Sequence, residues 1–379
     1  MKKIKVMTVF GTRPEAIKMG PLVLALQNDP RFEAVTTVTA QHREMLDQVL
    51  EVFKIDPDYD LNIMKKNQTL NDITTNVLLK MQGVIAAEKP DLVLVHGDTT
   101  TTFSAALAAF YNQTAIGHVE AGLRTWNKYS PFPEEMNRQM TDDLSDLYFA
   151  PTQQSKENLI IEHHPAENIF VTGNTAIDAL KHTVDADYQH KVLDMIDPDH
   201  KFILVTMHRR ENQGQPMENV FKVIRQVVDD NEDLEVIYPV HLSPRVQEMA
   251  HRILGNDKRI HLIDPLDVVD FHNLAAKSYF IMTDSGGVQE EAPALGKPVL
   301  VLRDTTERPE GVAAGTLRLV GTDPVKVKQA MVDLLTNPAE YQRMAEAKNP
   351  YGDGNACRRI LDAIAYYFKV DPKRPKDFQ

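Results

Sequence analysis

The sequence has few features that would allow covalent cross-links, metal clusters or membrane insertion. Its 379 residues include one cysteine, Cys357, which excludes an internal disulfide framework and a cysteine-rich metal site. It has no run of about 18 apolar residues, so no segment is predicted to span a membrane. The N-terminal apolar stretch is short, is interrupted by Lys5 and Thr8, and indicates a first strand and not a signal peptide. We therefore expect a cytoplasmic protein.

Several ligand-binding signatures are also absent. Neither G-x-G-x-x-G after the first apolar run nor G-x-x-x-x-G-K-[ST] occurs, so a nicotinamide cofactor or a P-loop has no support. The metal spacing H-E-x-x-H and the nucleophile motif G-x-S-x-G are missing as well. The sequence thus predicts no metal site.

The charge balance restricts the partners. With 42 basic and 54 acidic residues, the net charge is −12. Phosphate backbones and anionic membranes need a positive surface, so we expect no nucleic-acid or membrane binding. A phosphorylated small molecule could still bind in a locally basic cleft.

Short, continuous apolar runs alternate with helical patterns along most of the chain. Such runs are typical of strands covered on both faces, and repeated β-α units predict parallel sheets. Eleven strands are too many for one ordinary sheet, so we predict an α/β fold with two Rossmann-like domains facing across a cleft. The predicted domains are residues 1–172 and 173–354, with a helix at about 355–370 packing back on the first. The predicted strands are 4–10, 34–40, 91–97, 115–121, 147–151, 169–173, 202–208, 234–240, 259–264, 279–284 and 298–304.

Polar or ionisable residues follow seven of these strands, at the position where open α/β sheets bind ligands. The segment TDSGG, which ends at Gly287 and precedes a helix, is the clearest phosphate candidate; a plain glycine turn with an N-cap is the alternative. Arginines at other strand ends could add positive charge. Glu291 could bind ribose hydroxyls or be an exposed helix glutamate. The carboxylates Asp98, Glu120 and Glu134 suit proton transfer, with N-caps or structural ion pairs as the alternatives.

Long motifs resemble the bacterial non-hydrolysing UDP-N-acetylglucosamine 2-epimerases from about residue 3 to 368. They include VFGTRPEAIKMGPLV, LVHGDTTTTFSAALAAF, HVEAGLRT, KYSPFPEEMNRQMTD, VTGNTAIDAL, MHRREN, YPVHLSP, MTDSGGVQEEAPALGKPVLVLRDTTERPEG and NPYGDGNA. The resemblance implies a glycosyltransferase-B type fold, with UDP bound mainly by the second domain. It implies interconversion of UDP-N-acetylglucosamine and UDP-N-acetylmannosamine without an added cofactor, and a homodimer. The product would feed surface polysaccharide such as teichoic-acid linkage units or capsule.

The same resemblance assigns roles to residues. It implies four catalytic residues: Asp98, Glu120, Glu134 and His208. Three of these, Asp98, Glu120 and His208, would also bind the substrate, together with Arg13 and Lys18 in the first loop. The resemblance further implies a set of residues that bind the UDP part: Phe271 at the uracil, Ser285, Gly286 and Gly287 at the diphosphate, Glu291 at the ribose and Arg308 at the nucleotide.

Family members that are activated by a second substrate molecule carry Q-H-R-Q and an arginine before Q-T-L. Here Glu44 ends the first stretch, Asn67 precedes Gln68, and Trp126 replaces a glycine that is common after G-L-R-T. We therefore expect weak or absent substrate activation. The candidate residues that remain for such a regulatory site are Gln41, Glu134, Arg209 and His241.

Three other functions fit the same fold. A UDP-sugar glycosyltransferase would share the diphosphate loop but would not need carboxylates on both faces of C2. A hydrolysing 2-epimerase would release the free sugar, and a silent UDP-sugar sensor would not need the carboxylates at all. The sequence does not decide which of Asp98 and Glu120 is the base in each direction.

Overall fold

The computed structural model describes residues 2–41 and 43–379, which form two compact units. The first unit is the chain up to His182 together with Tyr351–Gln379, and the second is Thr183–Pro350.

The first unit is built on a seven-stranded sheet in the order β3-β2-β1-β4-β5-β6-β7, in which every neighbouring pair is parallel. Its strands are β1 Ile4–Phe10, β2 Phe32–Val38, β3 Tyr59–Asp60, β4 Leu92–His96, β5 Ala115–Val119, β6 Leu147–Ala150 and β7 Ile169–Val171. Its connecting helices are α1 Arg13–Asn28, α2 Arg43–Phe53, α3 Leu70–Glu88, α4 Thr100–Tyr111, α5 Glu134–Leu144, α6 Gln153–Ile161 and α7 Thr175–Thr183.

Helices cover both faces of this sheet, which explains the continuous apolar runs. Val6 and Phe10 of β1 pack into a core that contains residues of α1 and α2. Met7 and Val9 point to the opposite face, where they join residues of α3 and α4.

The second unit has a six-stranded sheet in the order β10-β9-β8-β11-β12-β13, again with parallel pairs. Its strands are β8 Lys201–Thr206, β9 Leu234–Pro239, β10 Ile260–Ile263, β11 Ile281–Thr283, β12 Val299–Val301 and β13 Leu317–Leu319. Its helices are α8 Gln215–Asp230, α9 Pro244–Leu254, α10 Val268–Lys277, α11 Gly286–Glu291, α12 Pro309–Ala314, α13 Pro324–Thr336 and α14 Pro338–Ala345. Ile203 and Leu204 of β8 enter the cores on opposite faces.

The chain then returns to the first unit, where helix α15, Ala356–Tyr367, packs Ile360 and Ile364 into the core beside α1. The carboxylate of Asp178 on α7 caps this helix, because it accepts the N–H groups of Ala356 at 3.1 Å and Cys357 at 3.0 Å. These contacts keep α7 with the first unit. The unit boundaries therefore fall at 182/183 and 350/351, and not at the predicted 172/173 and 354/355.

Each of the eleven predicted runs overlaps a strand, and two further strands, β3 and β13, lie at sheet edges. Among the helices within 2–41 and 43–379, none combines the length and the apolar character needed to cross a bilayer.

Candidate active site

Glu15 joins the loops that follow β1 and β4. Its Oε2 accepts the backbone N–H groups of Gly11 at 3.1 Å and Thr12 at 2.8 Å, and its Oε1 accepts the hydroxyls of Thr99 at 2.8 Å and Thr102 at 3.1 Å. The side chain is buried, and burial raises the pKa of its carboxyl although these hydrogen bonds oppose the shift. The two loops are thereby held in one fixed arrangement.

Glu120 follows β5 and forms an ion pair with Lys18, which lies in the second turn of α1. The exposed fractions of the two side chains are 11% and 17%, so the pair is largely shielded from water. Asn174 donates its Nδ2 to the same carboxylate oxygen, Oε2, at 2.8 Å. The backbone φ of Glu120 is +68°, a left-handed conformation that costs free energy in a residue other than glycine. The structure thus brings Glu120, which follows β5, together with Lys18 on α1.

His96, the last residue of β4, lies near the carboxylate of Glu120. Its Nε2 is 3.9 Å from Oε2 of Glu120, and neither ring nitrogen has a hydrogen-bond partner in the described part of the chain. Burial lowers the pKa of His96 to about 3, against the opposing attraction of Glu120. The imidazole is therefore neutral at physiological pH.

Asp98 is reached from helix α5. Its Oδ2 accepts Nη2 of Arg138 at 2.5 Å, and its backbone carbonyl accepts Nδ2 of Asn137 at 3.0 Å. Arg138 also pairs with the buried carboxylate of Glu135 at 3.3 Å. Glu134 is the first residue of α5, one turn before Arg138 and on the same helix face. The structure therefore holds Asp98 against the guanidinium of Arg138 and places Glu134 at the start of the same helix.

A buried chain of hydrogen bonds through His118 and Asp142 holds the Gly97–Asp98 turn. His118 Nε2 contacts the carbonyl of Gly97 at 2.7 Å, and its Nδ1 contacts Oδ1 of Asp142 at 2.6 Å. Burial alone would raise the pKa of Asp142, but His118 and Arg124 hold it below its usual value. Since β4 and β5 pair in register up to His96 and Val119, Asp98 and Glu120 follow adjacent strand ends.

In the second unit, Asp284 after β11 fixes the loop after β8. Its Oδ2 accepts the backbone N–H groups of His208 at 3.0 Å and Arg209 at 2.9 Å, and also Nδ2 of Asn212 at 3.0 Å. The ring of His208 stacks on that of His241, with centroids 5.5 Å apart and planes within 11°. Partial burial lowers the pKa of His208, and the nearby His241 and Arg209 act in the same direction.

The segment from Ser285 to Gly287 lies against a guanidinium group. A Cβ added at Gly286 would be 3.2 Å from Cζ and Nη1 of Arg308. Arg308 is held by Oε1 of Glu290, which accepts its Nε at 2.8 Å. The backbone of Ser285 and Gly287 and this cation are thus close enough to act on one anion.

Glu291 and Phe271 also lie in the second unit. Oε2 of Glu291 is 3.3 Å from Nε2 of His272, whose Nδ1 contacts the hydroxyl of Thr183 at 2.7 Å. Phe271 precedes His272 on α10 and packs partly buried against the core. The contact with His272 holds the carboxylate of Glu291 at the end of α11.

The remaining predicted residues lie at loops beside these groups. Arg13 is the first residue of α1, and Oε1 of Gln41 accepts the hydroxyl of Thr101, at the start of α4, at 2.9 Å. Arg209 pairs with Glu307 at 3.3 Å and with Glu211 at 3.6 Å.

Two functional candidates were not predicted from the sequence. Arg138 lies inside a polar helix, where no strand-end rule applies. Asn174 follows the predicted strand 169–173, so the rule that found Asp98 and Glu120 would have found it too, had it been applied to that strand.

The class of protein follows from two features: two parallel Rossmann-like sheets, and carboxylates, cations and a glycine turn at the ends of their strands. The chain is an α/β protein of the glycosyltransferase-B type, a fold that serves nucleotide-sugar chemistry.

Comparisons with known proteins give the family. A family model described as UDP-N-acetylglucosamine 2-epimerase matches residues 24–365. The UDP-N-acetylglucosamine 2-epimerase of Bacillus subtilis (strain 168) is 63% identical over 378 residues, which cover 100% of this chain and 99% of the relative. The chain belongs to the UDP-N-acetylglucosamine 2-epimerase family, as its motifs predicted.

Solved structures agree with this assignment. A crystal structure of a UDP-N-acetylglucosamine 2-epimerase aligns with a TM-score of 0.94 and 61% identity over 100% of both chains. The UDP-GlcNAc 2-epimerase from Neisseria meningitidis, bound to UDP-GlcNAc, aligns with a TM-score of 0.86 and 49% identity over 95% of this chain and 99% of that one. The prediction of the fold class is confirmed.

Proposed function

We propose that the protein interconverts UDP-N-acetylglucosamine and UDP-N-acetylmannosamine by eliminating UDP and adding it back, without hydrolysis. The observation that carries the proposal is the pair of carboxylates, Asp98 and Glu120, at adjacent strand ends in a member of this family. Each is held by a cation, Arg138 for Asp98 and Lys18 for Glu120.

The second unit supplies the groups that would bind UDP. Ser285–Gly287 and Arg308 would hold the diphosphate, Glu291 would accept hydrogen bonds from ribose hydroxyls, and Phe271 would pack on the uracil. Cations and backbone N–H groups at a diphosphate stabilise the charge that it gains as a leaving group. His208, in the loop after β8, stacks on His241 in the loop after β9 and would serve on the leaving-group side.

Elimination solves the chemical difficulty of the reaction. The hydrogen on C2 is not acidic, because no neighbouring carbonyl stabilises the carbanion. Breaking the C1–O bond expels UDP with the bonding electrons, while C2 loses its proton and a C1–C2 double bond forms. The product is 2-acetamidoglucal. UDP then attacks C1 as a proton reaches the opposite face of C2, which inverts that centre.

Two proton-handling groups are needed, one for each face of C2. We assign this work to Asp98 and Glu120, with Glu134 at the start of α5 as a third carboxylate. The ammonium group of Lys18 favours the negative charge on Glu120, the form that a base requires. The first-loop Arg13 would contact the sugar nucleotide from the start of α1.

Isotope exchange in D₂O tests the proposal. UDP-N-acetylglucosamine is incubated with the protein and followed by proton NMR. We expect deuterium at C2 and a mixture of the two UDP-sugars, with the UDP linkage kept. Free sugar would instead indicate a hydrolysing epimerase. Loss of UDP only with an added acceptor would indicate a glycosyltransferase, and no change would indicate a sensor; each of these results would contradict the proposal.

We also infer that a second substrate molecule activates this enzyme weakly or not at all. Glu44 is exposed in the first turn of α2, and the neighbouring Arg43 is already paired with Asp47 at 2.7 Å and Asp60 at 2.6 Å. A diphosphate bound near Glu44 would meet an added carboxylate, and Asn67 offers no cation.

Initial rates with UDP-N-acetylmannosamine alone should therefore be hyperbolic, and a need for added UDP-N-acetylglucosamine would overturn the inference. The paired substitution Glu44→Gln with Asn67→Arg should introduce activation. Glu51→Gln, an exposed change on the same helix, is the matched control and should not.

We further propose a cytoplasmic homodimer that supplies UDP-N-acetylmannosamine for surface polysaccharide, such as teichoic-acid linkage units or capsule. Helices α3 and α4 expose apolar side chains that a second copy could cover, including Leu79, Phe110 and Tyr111. Sedimentation should give twice the chain mass of 42.8 kDa, and a monomer at micromolar concentration would contradict this part.

A further inference from the structure

Asn174 connects the candidate base to a second segment of the chain. It lies between β7 and α7 and is 4% exposed. Its Nδ2 donates to Oε2 of Glu120 at 2.8 Å, while its Oδ1 accepts the N–H of Ala176 at 2.9 Å. Its backbone N–H donates to the carbonyl of Tyr351 at 2.7 Å. The Nδ2, Oδ1 and backbone N–H of Asn174 therefore each have a hydrogen-bond partner.

We propose that Asn174 is a positioning residue that fixes the orientation of the Glu120 carboxylate for proton transfer at C2. The inference rests on the proposed function and adds a residue to its machinery.

The orientation of the amide is fixed by its two neighbours. Oδ1 must face the N–H of Ala176, because the opposite orientation would place two acceptors, Oδ1 and Oε2 of Glu120, against each other and two donors, Nδ2 and the N–H of Ala176, against each other. Lys18 alone would not fix the carboxylate, since an ammonium group on a flexible stem tolerates many orientations. Two donors at one oxygen restrict rotation of the carboxylate. Oε1 then lies toward Gly97, at 3.6 Å from where a Cβ would be.

The contact with Tyr351 ties this arrangement to both connections between the units. Asn174 precedes α7, the helix that leads out of the first unit, and Tyr351 is the first residue after the chain returns. The two segments approach closely, because a Cβ at Gly173 would be 3.2 Å from Cα of Gly352. The orientation of Glu120 consequently depends on the backbone of both segments.

The substitution Asn174→Asp separates positioning from structure. Aspartate accepts the N–H of Ala176 as well as asparagine does, so the start of α7 is kept. It cannot donate to Glu120, and it places a second carboxylate beside the first. Asn174→Ser is a second variant that also caps a helix but does not reach Glu120 with a donor.

We expect Asn174→Ser to unfold within about 3 °C of the wild type, whereas Asn174→Asp should be less stable near neutral pH, because its added carboxylate lies beside that of Glu120. The kcat of Asn174→Asp should fall about 100-fold, because a misplaced catalytic group loses about that much rate, whereas KM and the Kd for UDP should stay within about threefold. The acidic limb of the pH profile of kcat should move to higher pH, since a second carboxylate beside Glu120 raises the pKa of the pair. Asn174→Ser should lose kcat with a smaller movement of that limb, because it removes a donor but adds no charge.

Asn355→Ala, on an exposed asparagine of the returning segment, is the control and should keep the wild-type kcat. The inference would be overturned if Asn174→Asp kept the wild-type kcat and an unshifted acidic limb, or if Asn174→Ser kept the wild-type kcat. Either result would leave the proposed function unaffected. A wild-type protein that exchanges no hydrogen at C2 would overturn the proposed function, and this inference with it.

Discussion

The carboxylate of Glu120 receives an ammonium and an amide on one oxygen, beside a neutral imidazole. Glu120→Gln removes the negative charge that would accept the C2 proton, while its size and shape are kept. We expect turnover to fall by about 100-fold or more. The Kd for UDP, measured by titration calorimetry, should change little, because the nucleotide groups belong to the second unit.

Glu157→Gln makes the same change on the exposed surface of α6 and should leave turnover unaltered. Near-normal turnover in Glu120→Gln would remove Glu120 from the proton-transfer pair.

His96 should give the protein a measurable pH dependence of stability. Its pKa is about 3 in the folded protein and about 6.5 in the unfolded chain, so below pH 6.5 only the unfolded chain takes up a proton there. This contribution is therefore fully present above pH 6.5 and is lost as pH falls toward 3. The loss of unfolding free energy between pH 7 and pH 5 should be about 2 kcal/mol smaller in His96→Gln than in the wild type.

Urea denaturation at the two pH values measures this difference within each variant. His251→Gln, which changes an exposed histidine on α9, should keep the full wild-type dependence. If His96→Gln kept it as well, the buried imidazole would not be the group responsible.

At the level of single residues, the sequence predicted the groups at strand ends but not their partners. Asp98 and Glu120 follow apolar runs and could be found by position. Arg138 and Asp142 reach these loops from inside α5, and only the packing of that helix reveals that Arg138 contacts Asp98 and that Asp142 contacts His118. Local patterns carry no information on such contacts between distant segments.

Among the elements, the turn into α11 depends on the absence of a side chain at Gly286. A methyl group there would lie 3.2 Å from the guanidinium of Arg308 and would displace it. Gly286→Ala should raise the Kd for UDP about tenfold, the loss expected for roughly one hydrogen bond to a charged group. Titration calorimetry with UDP measures the change.

Gly83→Ala is the matched control, since a Cβ at Gly83 on α3 would meet nothing within 4 Å. That variant should bind UDP as the wild type does and gain up to about 1 kcal/mol of stability, because alanine favours a helix. Equal UDP affinity in the two variants would contradict the role of the Gly286 turn.

The elements themselves were predictable to different degrees. Strands covered on both faces, such as β1 and β4, stand out as continuous apolar runs. The edge strands β3 and β13 are short and contain Asp60 and Arg318, so neither forms a continuous apolar run. The first unit ends at His182, ten residues after the predicted 172/173, because Asp178 of α7 caps α15 and so keeps α7 with the first unit, a contact between distant segments that no local pattern shows.

At the scale of the whole molecule, the two units divide the proposed chemistry. The first carries the carboxylates that would handle protons, and the second carries the cations and glycines that would hold a diphosphate. This division follows from β-α repeats and strand-end positions, which the sequence contains. The net charge of −12 does not oppose it, because Arg308, Arg209 and Lys18 are local exceptions on an acidic chain.

The most direct test of the account follows the oxygen atom between the sugar and UDP. UDP-N-acetylglucosamine labelled with ¹⁸O at this bridging position is incubated with the protein, and the recovered UDP-sugars are analysed by phosphorus NMR. Cleavage of the C1–O bond frees the β-phosphate to rotate, so the label should spread to its non-bridging oxygens as C2 exchanges hydrogen. Epimerisation with the label kept wholly in the bridge would contradict elimination.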